Sequence, residues 1–522
     1  MSKVKSDQLF RLIHSLSKSE KRQFKLFASR QDTGEKKFLL LFDEMAAQEV
    51  YDEHKLLKKH KALLPHQMPN MKAHLYRQIL KCLQLANVSK LPEMQISELI
   101  DYSRILYSKC LYKECLQMIE KAKRLAVEYD SRVFLLELLD LEKMAIRQQQ
   151  GLGDTGRTEK IVSETNVTSQ SVQNINSFSN LSLRLNSFYQ NIGFIRNRED
   201  HEKVKSFFQS GLPEYNESRL TFQEKLYLYS SFTGYYFFIR DTREGYRYAR
   251  KWMQLFEDHP EMICLKTEMY IKALNSLLVA QNKLYLYNEF MQTHHKLVSL
   301  KRDKNIIHTE NINLHLFRTI YIHEINRHFM LGEFKSGTRI VSRLQNELNN
   351  FIPKLDKHTV LVLYYKIACL YFGSSNFKES IKWLNYIINE KETETREDLH
   401  SFSRILRLIC YFELEDDDRV ENNIRSTYRF LLQKKSFVKY QQLIMQFLKG
   451  LRKDYSKKEI TARFVKLKKQ MENLEKDKYE RRAFLYFDII SWLESRIEGR
   501  VIQDVVREKA VRRIASGNRQ LQ

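Results

Sequence analysis

Tyr364-Tyr365-Lys366-Ile367-Ala368-Cys369-Leu370-Tyr371 is followed by Asn376-Phe377 and then by Ser380, Leu384 and Ile387. Tyr364, Ile367, Ala368 and Tyr371 recur at steps of three and four, the period of one helix face. Small Ala368 and Ser380 sit where two helices must approach closely. Two antiparallel helices joined by a short turn at Asn376-Phe377 are the predicted unit.

The same pattern returns along the chain. Leu99, Tyr102, Ser103 and Leu106 precede a turn at Cys110-Leu111-Tyr112, and Cys115, Ile119 and Ala122 follow it. Tyr321 to Leu344 repeats it, with Gly332 at the turn, Phe334 after it and Gly337 at the close approach. Tyr229 to Trp252 is a looser copy using Thr233 and Gly245, and Ile271–Met291 and Cys410–Phe430 are weaker ones. These hairpins resemble the tetratricopeptide (TPR) family, whose units place small residues at two contact points and an aromatic just after the turn. Aligning the post-turn positions as Thr242, Leu284, Phe334, Phe377 and Val420 gives steps of 42, 50, 43 and 43 residues. A TPR period is about 34 and HEAT or armadillo periods run about 40–47. The expected fold is therefore all-α: a right-handed α-solenoid of TPR-like helical hairpins with helical N- and C-terminal caps.

Composition agrees. Fourteen glycines and six prolines in 522 residues compare with roughly 12% of an average chain for the two together. So few turn formers argue against all-β and α/β designs. The hydrophobic fraction of 43% supplies a core, and 12% aromatic content argues against disorder. No apolar run follows Met1–Asp7, and the densest apolar stretches, Phe38–Phe42 and Val133–Leu141, fall short of the ~20 residues of a membrane span. A cytoplasmic protein with no membrane partner is expected. Cys82, Cys110, Cys115, Cys264, Cys369 and Cys410 show no C-x-x-C and read as small buried hydrophobes.

Three parts are expected: a basic N-terminal helical unit over 1–90, a hairpin array over 91–433, and a basic C-terminal helical cap over 434–522. The formal charge of +24 concentrates at the ends. Residues 1–90 hold 18 basic and 9 acidic side chains, and 434–522 hold 23 and 11, against 47 and 44 between them. Helices are expected near 6–16, 18–30, 35–48, 52–61 and 70–87, with four more across 434–515. In the latter, Ile460, Phe464, Leu467, Met471 and Leu474 form a one-face stripe. Ser17–Glu20, Thr221–Glu224 and Ser456–Glu459 match the capping box. Residues 151–182, rich in Ser, Thr, Asn, Gln and Gly, read as an irregular stretch with one poorly packed helix, and Asn389–Asp398 as a connection.

Beyond the hairpins, the order of the chain is similar to that of bacterial TPR-like proteins. They share an opening like Leu16-Ser17-Lys18-Ser19-Glu20-Lys21-Arg22-Gln23-Phe24 and a later Leu75-Tyr76-Arg77-Gln78-Ile79-Leu80-Lys81. The resemblance implies the architecture and no particular activity.

Motifs for catalysis are weak. Gly151-Leu152-Gly153-Asp154-Thr155-Gly156 fits a dinucleotide loop in letters, but no strand precedes it. The histidines lack metal-ligand spacing: His323 and His328 are five apart, and His294-His295 diverge by ~100°. Asp416-Asp417-Asp418 falls in a turn and not in a cleft. The aromatic run Tyr227, Tyr229, Tyr235, Tyr236, Phe237 and Phe238 reads as packing between helices. No enzyme, metal or cofactor is expected. The favoured function is a scaffold that binds a protein or peptide segment on the solenoid surface. The alternative is a nucleic-acid-binding regulator, with a ligand-sensing array and a winged-helix-like unit formed by the helices near 35–48, 52–61 and 70–87. Its candidate polyanion contacts are Lys72, Arg77 and Lys81 near the N-terminus, and Lys457, Lys458, Arg463, Lys466 and Lys469 near the C-terminus.

Overall fold

A computed structural model describes residues 8–29, 36–60, 63–148, 155–192, 195, 198–390, 396–433, 438–450, 456–477, 480, 484 and 487–519. Among them there is no strand, and twenty-five α-helices follow one another. The chain forms two compact units, 1–172 and 173–522.

The first unit opens with α1 (Gln8–Ser15), α2 (Lys18–Ala28), α3 (Lys36–Ala47), α4 (Glu53–Lys59) and α5 (Met68–Asn87), each within a few residues of its expected span. Ile13, Phe24, Leu41, Phe42, Leu56, Leu75 and Ile79 make their common core. The capping box at Ser17–Glu20 is formed on both sides. Within this unit α5 packs on α1, α2 and α3. Next come α6 (Pro92–Ser108), α7 (Tyr112–Glu128), α8 (Arg132–Gln148) and α9 (Thr155–Ile192). The α6–α7 hairpin closes as its sequence implies, Cys115 Sγ donating to the Ser103 carbonyl at 3.3 Å. Gly151–Asp154 lie outside the described residues, and Thr155 and Gly156 open α9.

That helix corrects the expectation for 151–182. From Thr155 onward the polar stretch is a continuous helix. Ile161, Thr168, Ser171, Ile175, Phe178, Leu181 and Leu185 are buried along it at helical steps. Burial of this spine overrides the poor propensity of the Ser, Thr and Asn residues between them.

The second unit is a stack of hairpins. After α10 (Arg198–Gly211) come α11 (Phe222–Phe238) with α12 (Thr242–Asp258), short α13 (Glu261–Leu265), α14 (Thr267–Lys283) with α15 (Tyr287–Ser299), and α16 (Glu310–Leu331) with α17 (Phe334–Phe351). Then follow α18 (Lys357–Gly373) with α19 (Phe377–Ile388), α20 (Glu397–Glu413) with α21 (Asp417–Gln433), and α22 (Lys439–Gly450) with α23 (Lys457–Lys476). The chain ends in α24 (Ile489–Glu498) and α25 (Ile502–Arg519). First helices touch in succession, α14 on α16, α16 on α18 and α18 on α20, while second helices pack onto first helices. The aromatic run of α11 packs as read: Tyr235 stacks on Phe208 at 4.0 Å and Phe232 on Tyr248 at 4.4 Å.

One turn joins five of these hairpins. A single residue at positive φ, namely Arg240, Tyr285, Gly332, Ser375 or Glu415, stands two positions before the second helix. Its successor's N–H donates to the carbonyl five residues back, as from Asp241 to Tyr236 at 2.9 Å and from Asn376 to Tyr371 at 2.9 Å. This is the helix-ending motif that usually takes glycine; four of the five turns are built without one. The steps between them are 45, 47, 43 and 40 residues. Two alignment positions are thereby corrected: the residues equivalent to Thr242, Phe334 and Phe377 are Tyr287 and Asp417, not Leu284 and Val420.

Cys110 needs a similar correction. It occupies the positive-φ position between α6 and α7 and is exposed. Cys82, Cys115 and Cys410 are buried, and Cys264 and Cys369 partly so.

Candidate functional site

Within α20, Arg404 and Arg407 are one helical turn apart in an otherwise apolar run; Ile405, Leu406, Leu408 and Ile409 around them are buried. Spacing of three residues puts both side chains on one face. From there they reach the second helices on either side. Arg404 donates to the His400 carbonyl at 3.0 Å and to the Ile388 carbonyl at the end of α19 at 3.5 Å. Its guanidinium lies 3.6 Å from the Phe430 ring centre on α21. Arg407 donates to Asn385 Oδ1 on α19 at 2.9 Å and to Asn423 Oδ1 on α21 at 2.8 Å. Its Nε is buried with no hydrogen-bond partner.

Every acceptor named is neutral, and among the described residues neither arginine forms an ion pair. Burial and the neighbouring Arg407 push Arg404 down to about 10; burial lowers Arg407 as well. Two half-buried cations without a counter-ion leave positive potential at this face. Elsewhere on α19, Tyr386 is 51% exposed and meets Tyr364 of α18 and Trp383 at 5.4 and 5.6 Å.

A second polar line crosses the first helices. His323 Nε2 pairs with Asn275 Oδ1 at 2.9 Å and His323 Nδ1 with Asn326 Nδ2 at 3.3 Å. Lys366 Nζ donates to Asn326 Oδ1 at 2.6 Å. Burial, then Lys366 and His294, drive His323 down to about 3. Burial drives Lys366 down to about 8. His323 is thus a neutral link in a chain of hydrogen bonds from α14 to α18. Among the described residues no group of three or more His, Cys, Asp or Glu side chains could hold a metal ion. Asp416 precedes α21 and Asp417 and Asp418 form its first turn, where carboxylates suit the helix dipole.

The sequence-derived cations fall in two places. On α5, Lys72 is held by the Glu53 carboxylate and lies 4.7 Å from the Tyr51 ring centre. Arg77 and Lys81 are exposed on that helix. On α23, Lys458, Arg463, Lys466 and Lys469 are exposed, Arg463 beside Gly450. Lys457 opens the helix, and its side chain lies outside the description. Lys468, one residue away, turns inward to Glu494 at 3.0 Å.

Sequence reasoning missed Arg404, Arg407 and Lys366. Its weights went to runs of charge, and these are single cations inside apolar helices. The available signal was Ser403-Arg404-Ile405-Leu406-Arg407-Leu408, two cations at helical spacing where the pattern demands core residues.

Comparison with protein-family models and with curated proteins finds no match. No described helix is long and apolar enough to cross a membrane.

Proposed function

We propose that this chain is a non-enzymatic scaffold, a right-handed solenoid of TPR-like hairpins that binds a carboxylate-bearing protein segment across α19, α20 and α21. One observation carries the reading: Arg404 and Arg407 are half buried, bridge three helices and meet neutral acceptors only. A guanidinium pairs with a carboxylate through two parallel hydrogen bonds, roughly twice as strong as neutral ones. A Glu or Asp side chain laid between α19 and α21 would replace neutral acceptors with an ion. Stacked hairpins repeat such faces along their length, the usual basis of extended peptide recognition.

The test is fluorescence anisotropy of the full chain with a short fluorescein-labelled peptide alternating Glu with Phe and Leu. Replacing both arginines, Arg404→Gln with Arg407→Gln, should weaken binding at least about tenfold. Exposed Arg425 and Arg429 on α21, changed to Gln together, provide the charge-matched control. Absence of saturable binding at low salt, or equal losses in the two variants, would refute the assignment.

A further inference from the structure

The buried face of α23 is fixed by Phe464, Leu467, Met471 and Leu474, which join the core of the hairpin stack. The opposite face carries a row of cations. At about 100° per residue, Lys458, Lys466, Lys469 and Lys476 fall within about 80° of one another around the axis. They span about 27 Å of helix. All four are exposed, and among the described residues none forms an ion pair. Two carboxylates flank the row, those of Glu459 and Glu472, and Glu459 is tied back to the Ser456 N–H at 2.8 Å and hydroxyl at 2.7 Å. Glu472 is drawn off by Lys468 at 3.6 Å. Both carboxylates thus bond partners outside the row.

Neither stability nor the helix dipole accounts for this arrangement. Four unpaired like charges on one face repel one another. Lys458 stands in the first turn, where the dipole opposes a cation. Some anion external to the fold would make the row favourable.

We propose that the exposed face of α23 binds the phosphodiester backbone of duplex nucleic acid through Lys458, Lys466, Lys469 and Lys476. One DNA strand presents about eight phosphates over the length of this row. Cations at unequal steps of eight, three and seven residues each find one of them without a required register. An acidic protein segment would have to place its carboxylates to match those steps. A lipid surface would need apolar anchors; on this face the large exposed hydrophobic residue is Val465 alone among those described. The inference stands apart from the peptide site on α20, with different residues and a different ligand.

The experiment is fluorescence anisotropy of the full chain with a fluorescein-labelled random-sequence duplex DNA across a salt series. Four phosphate contacts give a log–log salt slope near −3.6, a loss of about 150-fold in affinity from 50 to 200 mM salt. The fourfold Lys→Gln variant of the row should flatten that slope nearly to zero with the melting temperature kept, because glutamine suits an exposed helix. A control removes four exposed cations of the first unit: Lys18→Gln, Lys58→Gln, Arg77→Gln and Lys81→Gln. Three results overturn the proposal: no binding at 50 mM salt, an equal loss in the control variant, or tighter binding to polyglutamate or phosphatidylserine vesicles than to the duplex.

Discussion

Ser375 and Gly332 occupy the same position in consecutive hairpins, at φ +62° and +67°. Substitution should move their stabilities in opposite directions. The left-handed conformation costs a residue with a Cβ about 1–2 kcal/mol. Glycine removes that cost but adds about 0.5–1 kcal/mol of unfolded-state entropy. Ser375 is exposed, so Ser375→Gly loses no buried contact and should gain about 0.5–1 kcal/mol. Exposed Glu415, at φ +57°, makes a second such site, and the two effects should add. Gly332→Ala incurs the conformational cost and a collision besides. A Cβ there would stand 2.6 Å from the Arg507 backbone nitrogen and 2.8 Å from its Cα, so α25 must retreat. A loss of at least about 2–3 kcal/mol follows. Calorimetry of the full chain reads the effects on the melting of the second unit, at about 1–2 °C per kcal/mol for its size. Hydrogen exchange of residues 502–519 should rise in Gly332→Ala and stay unchanged in Ser375→Gly. A destabilised Ser375→Gly, or a neutral Gly332→Ala, would show that the shared turn is not what holds these hairpins.

Two further outcomes can be measured. The fully buried Trp492 donates from Nε1 to Glu413 Oε1 at 2.7 Å, and Arg496 reaches the other oxygen at 3.5 Å. Trp492→Phe leaves that carboxylate oxygen without its donor and should cost about 1–3 kcal/mol in urea unfolding, whereas Trp492→His with retained stability would argue that the donor alone matters. Lys366, held near 8 against 10.5 for an ordinary lysine, makes stability depend on pH. Between those values the unfolded chain binds the proton and the folded chain does not, so stability should rise with pH across that window, by on the order of 3 kcal/mol. Lys366→Met should remove that rise; an unchanged slope in the variant would place its origin elsewhere.

The helices of both ends were legible because each carries its own apolar period. The stripe from Phe464 to Leu474 is buried as its spacing implies, and the capping boxes at Ser17, Thr221 and Ser456 are formed. Less legible were the turns. Arg240, Tyr285, Ser375 and Glu415 have no common chemistry, since the position demands a backbone conformation and tolerates many side chains at modest cost. The long helix from Thr155 could not be read from propensity, because what favours it is burial by distant segments. Arg404 and Arg407 escaped for the same reason: their meaning lies in Asn385, Phe430 and Asn423 on neighbouring helices. Lys72 is the converse case, a residue that looked available until Glu53 and Tyr51 were seen against it.

Where a partner can sit on the second unit is constrained by the chain's own end. Phe487 packs on Phe372 at 4.8 Å between ring centres, and Trp492 bonds Glu413. The backbone of Arg507 lies against Gly332, and Arg513 donates to the Tyr285 hydroxyl at 2.8 Å. Phe372, Glu413, Gly332 and Tyr285 stand at or just beyond the C-terminal ends of α18, α20, α16 and α14. Residues 487–519 therefore run back along the edge where the hairpins turn. In an open solenoid each repeat touches only its neighbours, and end repeats open first. Here the last helix bonds to a turn 228 residues earlier, so opening the terminal hairpins also breaks contacts to the second one. The strap trades independent repeats for a cooperative stack and covers the turn edge. The two sites proposed above lie off that edge, between second helices at Arg404 and Arg407 and on the outward face of α23.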